Sequence, residues 1–229
     1  MTREGWSRLA AAIREGDLPG IVMLASRPLR VARFDRMLIL ETTLLSERPS
    51  LKKARQLRPD LSARMATAAD LPELVRLFPH SADKYAGRLE GGDECLLVES
   101  ADSVIAMGWV GSDRDRPFEL GCRIELPVRA CWGYDTFVLE EHRGQGAFVV
   151  LMEAMFALFK SRGVTRLYAA VSHLNTASRA SHARIGYTTA VVLERFVVAG
   201  IPRHRITRRG GERFWLRGTA GDTPVLRLS

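Results

Sequence analysis

Gly133-Tyr134-Asp135-Thr136-Phe137-Val138-Leu139, then Glu141-His142-Arg143-Gly144-Gln145-Gly146-Ala147, then Phe148-Val149-Val150-Leu151-Met152-Glu153-Ala154-Met155 is the stretch whose reading decides the fold. The opening segment is rich in aromatic and β-branched residues and reads as a strand. The closing one is apolar and long enough for a buried helix. Between them, Gly144 and Gly146 make a turn. A strand that turns on glycines into a helix aims several backbone N–H groups at one point, and the positive end of the helix dipole adds to them. Such a turn is a seat for a pyrophosphate. Residues 166–171 then read as a second strand, and an Asn-led helix follows from Asn175.

A bare Gly-x-Gly also occurs in ordinary turns and in dinucleotide-binding proteins. The dinucleotide reading needs a third glycine opening the helix and an acidic residue about 20 positions further on. This chain has Phe148 and Thr165-Arg166-Leu167 instead, which sets that reading aside. The segment resembles the GNAT acyltransferases, whose turn carries Gln or Arg, two residues, Gly, one residue, then Gly or Ala. Arg143, Gly144, Gln145, Gly146 and Ala147 fill that pattern, and Phe148 departs from it where a small residue lets the cofactor pass close to the helix. The family's second signature is an Asn after the next strand, a small residue three later, an aromatic or His at seven and Gly-aromatic at eleven and twelve. Asn175, Ser178, His182, Gly186 and Tyr187 match its spacing. The resemblance covers about 61–198 and is specific over 132–187.

The resemblance implies an α/β fold of layered type: a mixed, mostly antiparallel central sheet flanked by helices, with extensions at both ends. It implies acetyl-CoA, or another acyl-CoA, as cofactor and direct attack by an amine or hydroxyl of a small molecule. Carried over by position, the backbone of Phe137, Val138 and Leu139 lines pantetheine, and the Leu139 amide polarises the thioester carbonyl. The amides from Arg143 to Phe148 hold the pyrophosphate, with the Arg143 side chain adding charge. Asn175, beside Ser178, contacts pantetheine or fixes the mouth of the following helix. His182 stands where the family commonly has a Tyr that protonates the leaving thiolate. A His can donate a proton near neutral pH, and it can equally pack the helix. Spacing tolerant of an aromatic at Phe148 resembles the carbohydrate cluster of the family, which points to a sugar amine or an amino-acid-like acceptor.

An acceptor arriving as an ammonium needs a general base. Asp135, Glu140, Glu141 and His173 are the candidates. Strand alternation puts Asp135 on the face of Phe137 and Leu139, where apolar neighbours raise a carboxyl's proton affinity. The alternative is a polar partner for nearby backbone. Cys131 has no paired His in sequence, so a covalent acyl-enzyme is not expected. A non-catalytic acyl-CoA sensor on the same fold is the competing reading, motivated by Phe148 and the missing Tyr.

At 229 residues, 46% hydrophobic and 26% charged, the composition is that of a globular chain able to bury a core. The amino terminus has no signal-peptide pattern, and the longest apolar stretch, 147–159, carries Glu153 and is too short to span a bilayer. A cytoplasmic protein without a membrane span is expected. Cys95, Cys122 and Cys131 are odd in number and lack CxxC spacing, so neither a disulfide framework nor a metal site is implied. The net charge of +8 gathers in two arginine runs: Arg27, Arg30, Arg33 and Arg36, then Arg203, Arg205, Arg208, Arg209, Arg213 and Arg217. Such runs attract polyanions or blunt a strand edge. No nucleic-acid-binding motif accompanies them, so no nucleic acid is expected.

Three segments follow: an amino-terminal extension with linker over 1–60, the acyltransferase domain over 61–200 and a basic hairpin or tail over 201–229. Expected elements are a helix over 7–15 broken by Pro19-Gly20, a strand over 33–44, a polar linker over 48–60 and a strand over 61–67. A helix from Asp70 to about 78, a second over 80–90 and a hairpin over 94–110 come next. An extended arm over 118–129 precedes the central strand. A helix over 178–184, a strand over 187–198 and a hairpin over 203–216 complete the chain. The strands at 33–44 and 187–198 leave room for a sheet continued across a homodimer.

Overall fold

The computed structural model describes residues 3–26, 32–45, 56, 58–101, 103–112, 115–216 and 223–228. The expected linker therefore lies outside the described residues except at 56 and 58–60, as do Arg27 and Arg30. The fold is of the expected class, a mixed α/β arrangement of mostly antiparallel sheet flanked by helices. The chain divides into two compact units.

One unit comprises Thr42–Arg114 and Val128–Ala169. Its strands lie in the order β2 (Leu61–Met65), β3 (Glu94–Ser100), β4 (Ser103–Gly111), β7 (Ala130–Val138) and the start of β8 (Arg166–Ser172). β2, β3, β4 and β7 pair antiparallel, whereas β7 and β8 run parallel. Between β2 and β3 come the helices α3 (Leu71–Leu77) and α4 (Tyr85–Glu90). The first is announced by a capping box in which Thr67 and Asp70 bond reciprocally, with Arg64 forking onto Asp70. Leu74, Phe78, Tyr85, Leu97, Met107 and Trp109 form the core on this face. Helix α5 (Ala147–Ser161) packs along β2, β3, β4 and β7. Its Val150, Leu151, Met152, Met155 and Phe159 are buried, each worth about 1.5–3 kcal/mol of transfer from water. Gly163, at φ +78, lies just past its end.

The other unit comprises Met1–Glu41, Asp115–Pro127 and Ala170–Ser229. Pro19-Gly20, expected to break the first helix, instead lies in the first turn of a second one. After α1 (Arg3–Arg14), Asp17 accepts the Gly20 amide at 3.1 Å and starts α2 (Leu18–Ser26). Strand β1 (Ala32–Thr43) pairs antiparallel with β9 (Thr188–Val198), which pairs with β10 (Ile201–Arg208), and β10 with β11 (Arg213–Leu216). Helix α6 (Thr176–Arg184) precedes β9. The expected arm over 118–129 holds the strand β6 (Cys122–Glu125), after a turn from β5 (Asp115–Phe118), and β6 is joined by a strand the sequence pattern did not reveal, β12 (Val225–Arg227). With three residues, β12 is too short to show a period. His204 Nε2–H donates to the Leu120 carbonyl at 2.7 Å, which fixes the proton on that nitrogen.

Several arginines of the two runs meet acids on the same or a neighbouring strand. Arg33 and Arg195 share Asp35, at 3.0 and 2.6 Å, and Glu194 holds Arg205 at 2.6 Å with Arg36 at 3.9 Å. Arg209 reaches Glu41 at 3.3 Å. Arg33 and Asp35 share β1, whereas Arg195–Asp35, Arg205–Glu194 and Arg36–Glu194 are cross-strand pairs onto buried carboxylates.

Candidate cofactor and active site

β7 carries a bulge. Met107 of β4 faces Phe137 and Trp109 faces Tyr134, so the single residue Gly108 opposes both Asp135 and Thr136. Asp135 takes up the extra length with φ +43, a left-handed conformation that Asp tolerates better than most residues. Gly108 stands opposite it. A Cβ there would lie 3.2 Å from Leu151 and Met155 side-chain atoms and 3.3 Å from the Thr136 hydroxyl.

The bulge corrects two expectations. It breaks the alternation, so Tyr134, Phe137 and Leu139 share the core face and Asp135 does not join them. It also decides which amide is spent. Leu139 N–H donates to the Ile105 carbonyl at 2.9 Å, so it is not available to polarise a thioester. Alternate residues of an antiparallel strand bond to the partner, so the N–H and C=O of Val138 turn away from β4. The parallel pairing with β8 extends only to Gly133 opposite Ala169, well short of Val138.

Asp135 is exposed and ion-paired with Arg88 of α4 at 2.7 Å. The Arg88 guanidinium lies 4.8 Å from the ring centre of Tyr134, 5.2 Å from Trp109 and 5.7 Å from Tyr85. Arg88 was not legible as a site residue, because only the fold brings α4 to the bulge.

The glycine turn behaves as its sequence predicts. A 3-10 turn over Glu140–His142 leaves β7, Gly144 has φ +74 and Gly146 has φ +92. The Gly146 carbonyl accepts Val149 and Val150 at 2.9 and 3.0 Å and so opens α5. Gln145 braces the turn by donating to the Glu141 carbonyl at 2.6 Å. The Arg143 amide is spent on the Glu140 carbonyl at 3.2 Å. The amides of Gly144, Gln145, Gly146 and Ala147 have no acceptor among the described residues. A Cβ at Gly144 would meet nothing within 4 Å, so the backbone there is bare. These residues fit a phosphate group. Phe148, half-buried, follows them at the helix start.

Arg143 does not add its charge where expected. Its Nε donates back to the Val138 carbonyl at 3.3 Å, and its guanidinium lies 5.7 Å from the Phe137 ring centre. A different cation covers the turn. Arg58, read from sequence as part of a linker, places Cγ 3.3 Å and Nη1 3.8 Å from where a Gly146 Cβ would stand.

In the other unit, Asn175 caps α6 by accepting the Ser178 amide at 3.0 Å. Of its two expected roles, fixing the helix mouth is the one visible in the structure. His182 is buried. Its Nδ1 lies 2.8 Å from the Ser178 carbonyl, to which it donates, and its ring meets Tyr187 edge-on at 5.0 Å. Burial pushes its pKa below the ordinary value, with the Ser178 bond opposing in part. His173 holds Asp17 through Nε2, at 2.7 and 2.9 Å from the two carboxylate oxygens. Burial pushes the Asp17 carboxyl up, but the bonds from His173 and Gly20 outweigh it and hold it below its ordinary value. Asp17 lies 156 positions from His173, so no sequence signal paired them. The three thiols are buried, and burial pushes Cys95 and Cys122 up to about 12 and Cys131 to about 11. Among the described residues no cluster of His, Cys, Asp and Glu is arranged to hold a metal, and no helix is long and apolar enough to cross a membrane.

Residues 61–187 match the model of the Acetyltransferase (GNAT) family. No curated protein matches the chain. Among solved structures, the chain is similar to a fungal multi-domain GH3 β-N-acetylglucosaminidase with a GCN5-related glucosamine N-acetyltransferase region. The TM-score is 0.55 and the identity 20%, over 82% of this chain and 22% of that one. It is also similar to a conserved protein of unknown function from Staphylococcus epidermidis ATCC 12228, with TM-score 0.50 and 13% identity over 77% of this chain and 66% of that one. At these identities the likeness shows the fold alone. The chain spans 66%, 58% and 22% of the first three solved proteins it matches.

Proposed function

The chain belongs to the acetyltransferase (GNAT) family, and from that membership we propose that it moves an acyl group, most simply acetyl, from coenzyme A to an amine or hydroxyl of a small molecule by direct attack. Acyl-CoA supplies an activated thioester. The observation that carries the reading is the bare turn at the start of α5, whose Gly144, Gln145, Gly146 and Ala147 amides lack acceptors among the described residues. They are assigned to the pyrophosphate.

The backbone of Phe137, Val138 and Leu139 is assigned to pantetheine, and the amide that polarises the thioester carbonyl is Val138's, since Leu139's is bonded within the ladder. Asn175 and Ser178 are assigned to fixing the start of α6. For the base we assign His173 over Asp135. Its Nε2–H is held by Asp17, which leaves Nδ1 to take a proton from the acceptor, whereas Asp135 is already paired with Arg88. His182 is assigned to protonation of the leaving thiolate, which it performs only from the imidazolium, because the one proton of the neutral ring is held by the Ser178 carbonyl. The acyltransferase domain we propose runs over 61–200, between the extension 1–60 and the basic tail 201–229, in a cytoplasmic protein.

Calorimetric titration with acetyl-CoA, free CoA and a longer acyl-CoA, with release of free thiol followed across amines, amino sugars and amino acids, tests the reading. Binding with thiol release that depends on an acceptor is expected. No binding of any acyl-CoA would sink it. A second reading, an acyl-CoA-binding module without turnover, is favoured by one observation: His182, in the usual Tyr position, is buried and tied to its own helix. Tight binding with no thiol release from any acceptor would select it.

A further inference from the structure

Beyond acyl transfer, and independently of it, we propose that the outer face of strands β9, β10 and β11, with the hairpin tip between β9 and β10, docks on an anionic lipid bilayer. Charge is segregated by unit. The unit that holds these strands carries nineteen arginines and no lysine against eleven acids, which is the whole of the chain's net +8, whereas the other balances fifteen cations with fifteen acids. Register then sorts the side chains. Residues directly opposite one another in a ladder share a face. The rows Val198–Ile201, Phe196–Arg203, Glu194–Arg205–Trp215 and Thr207–Arg213 therefore lie on one side of the sheet. The other side holds Leu193, His204 and Ile206, all buried.

The outer face is left to solvent where it is most apolar. Val198 is 64% exposed, Ile201 58% and Trp215 54%. Ala199 and Gly200, with φ +48 and +80, make the tight turn that holds Val198 and Ile201 side by side, and the tip from Val197 to Pro202 has no charged residue. Behind the tip, the Trp215 ring centre lies 5.9 Å from that of Phe196, which stands 4.9 Å from Phe34. Glu194, the one acid on these rows, is buried and held by Arg205 at 2.6 Å. Arg203 and Arg213 are exposed, and no acid pairs with either among the described residues. An aliphatic tip, a tryptophan behind it and uncompensated arginines beside it fit a bilayer surface, which takes apolar groups into its acyl region, indole at headgroup level and guanidinium on phosphate. A second copy docked face to face would bring four unpaired arginines together. A nucleic acid offers nothing in which to bury Val198 and Ile201.

The test is flotation of the full chain with vesicles of phosphatidylcholine, pure or mixed with phosphatidylglycerol. Wild type should float with the mixed vesicles, less as salt is raised, and stay behind with the neutral ones. Replacing Arg203→Ala and Arg213→Ala together should weaken binding about 25-fold, from about fivefold per arginine. Val198→Ser with Ile201→Ser should weaken it on the order of tenfold. All four side chains are exposed, so melting temperature should hold in both double variants. Vesicles with brominated acyl chains should quench tryptophan fluorescence in wild type, and Trp215→Phe should abolish most of that quenching. The proposal is overturned by no flotation, by equal flotation with neutral vesicles, or by unchanged binding in either double variant. Quenching that survives in Trp215→Phe would put a different face on the bilayer and overturn it too. So would tighter binding to a single-stranded oligonucleotide that is lost in the arginine variant, which would make this a nucleic-acid surface.

Discussion

Helices α5 and α6 each follow one of two parallel strands, yet they begin in opposite ways. α5 starts on Gly146 in a left-handed conformation, with no side-chain cap and a run of amides left open. α6 starts on Asn175, whose side chain accepts the Ser178 amide, and the Ser178 carbonyl in turn takes His182. A helix start closed by a side chain is a structural joint; one kept open by glycine is available to an anion. Both sit in family signatures, so the motif alone does not say which kind a given start is.

Breaking the open start should have the largest effect. Gly146→Glu puts a side chain on a left-handed backbone, against Arg58, with a carboxylate at the anion seat, and should raise the Kd for acetyl-CoA on the order of a hundredfold by calorimetry. Retained affinity would remove the distinction between the two helices.

Opening the closed start should act on stability instead. Asn175→Ala should lower unfolding free energy by about 1 kcal/mol in urea while the Kd for acetyl-CoA moves less than about threefold. An affinity loss without a stability loss would make Asn175 a ligand rather than a cap. The smallest effect is one of pH. Burial lowers the pKa of His182 from its ordinary 6.5. A group with a depressed folded pKa adds stability above its unfolded value and loses it as pH falls through the folded one. Melting temperature should therefore fall as pH drops below 6.5, and His182→Gln should flatten that fall. An unchanged slope in the variant would show that the ring is not neutral because of its burial; His204, lowered by burial in the same way, contributes in parallel.

Legibility in the sequence followed how local each feature is. The hairpin of β3 and β4, the buried α5, the glycine φ values and the final basic hairpin are set by patterns a few residues long. The bulge was not legible, because Asp135 shows no signature and the extra residue is defined only against β4. That omission carried through to the site, moving the unpaired amide from Leu139 to Val138. The Asp17–His173 pair and the Arg88–Asp135 pair escaped for a related reason: each joins groups far apart in the chain, and an isolated Asp or Arg carries no mark of its partner.

The sequence by itself determined that a strand turns on two glycines into a buried helix, and that an Asn-led helix follows the next strand. Glycine alone takes a left-handed turn at little cost, and the period of apolar residues leaves one way to bury a helix. Tertiary structure decided which charges and amides meet at that turn. Arg143 and Arg58 are chemically alike, and only the packing of the β2 turn against Gly146 brings Arg58 over the helix start while Arg143 folds back on its own strand.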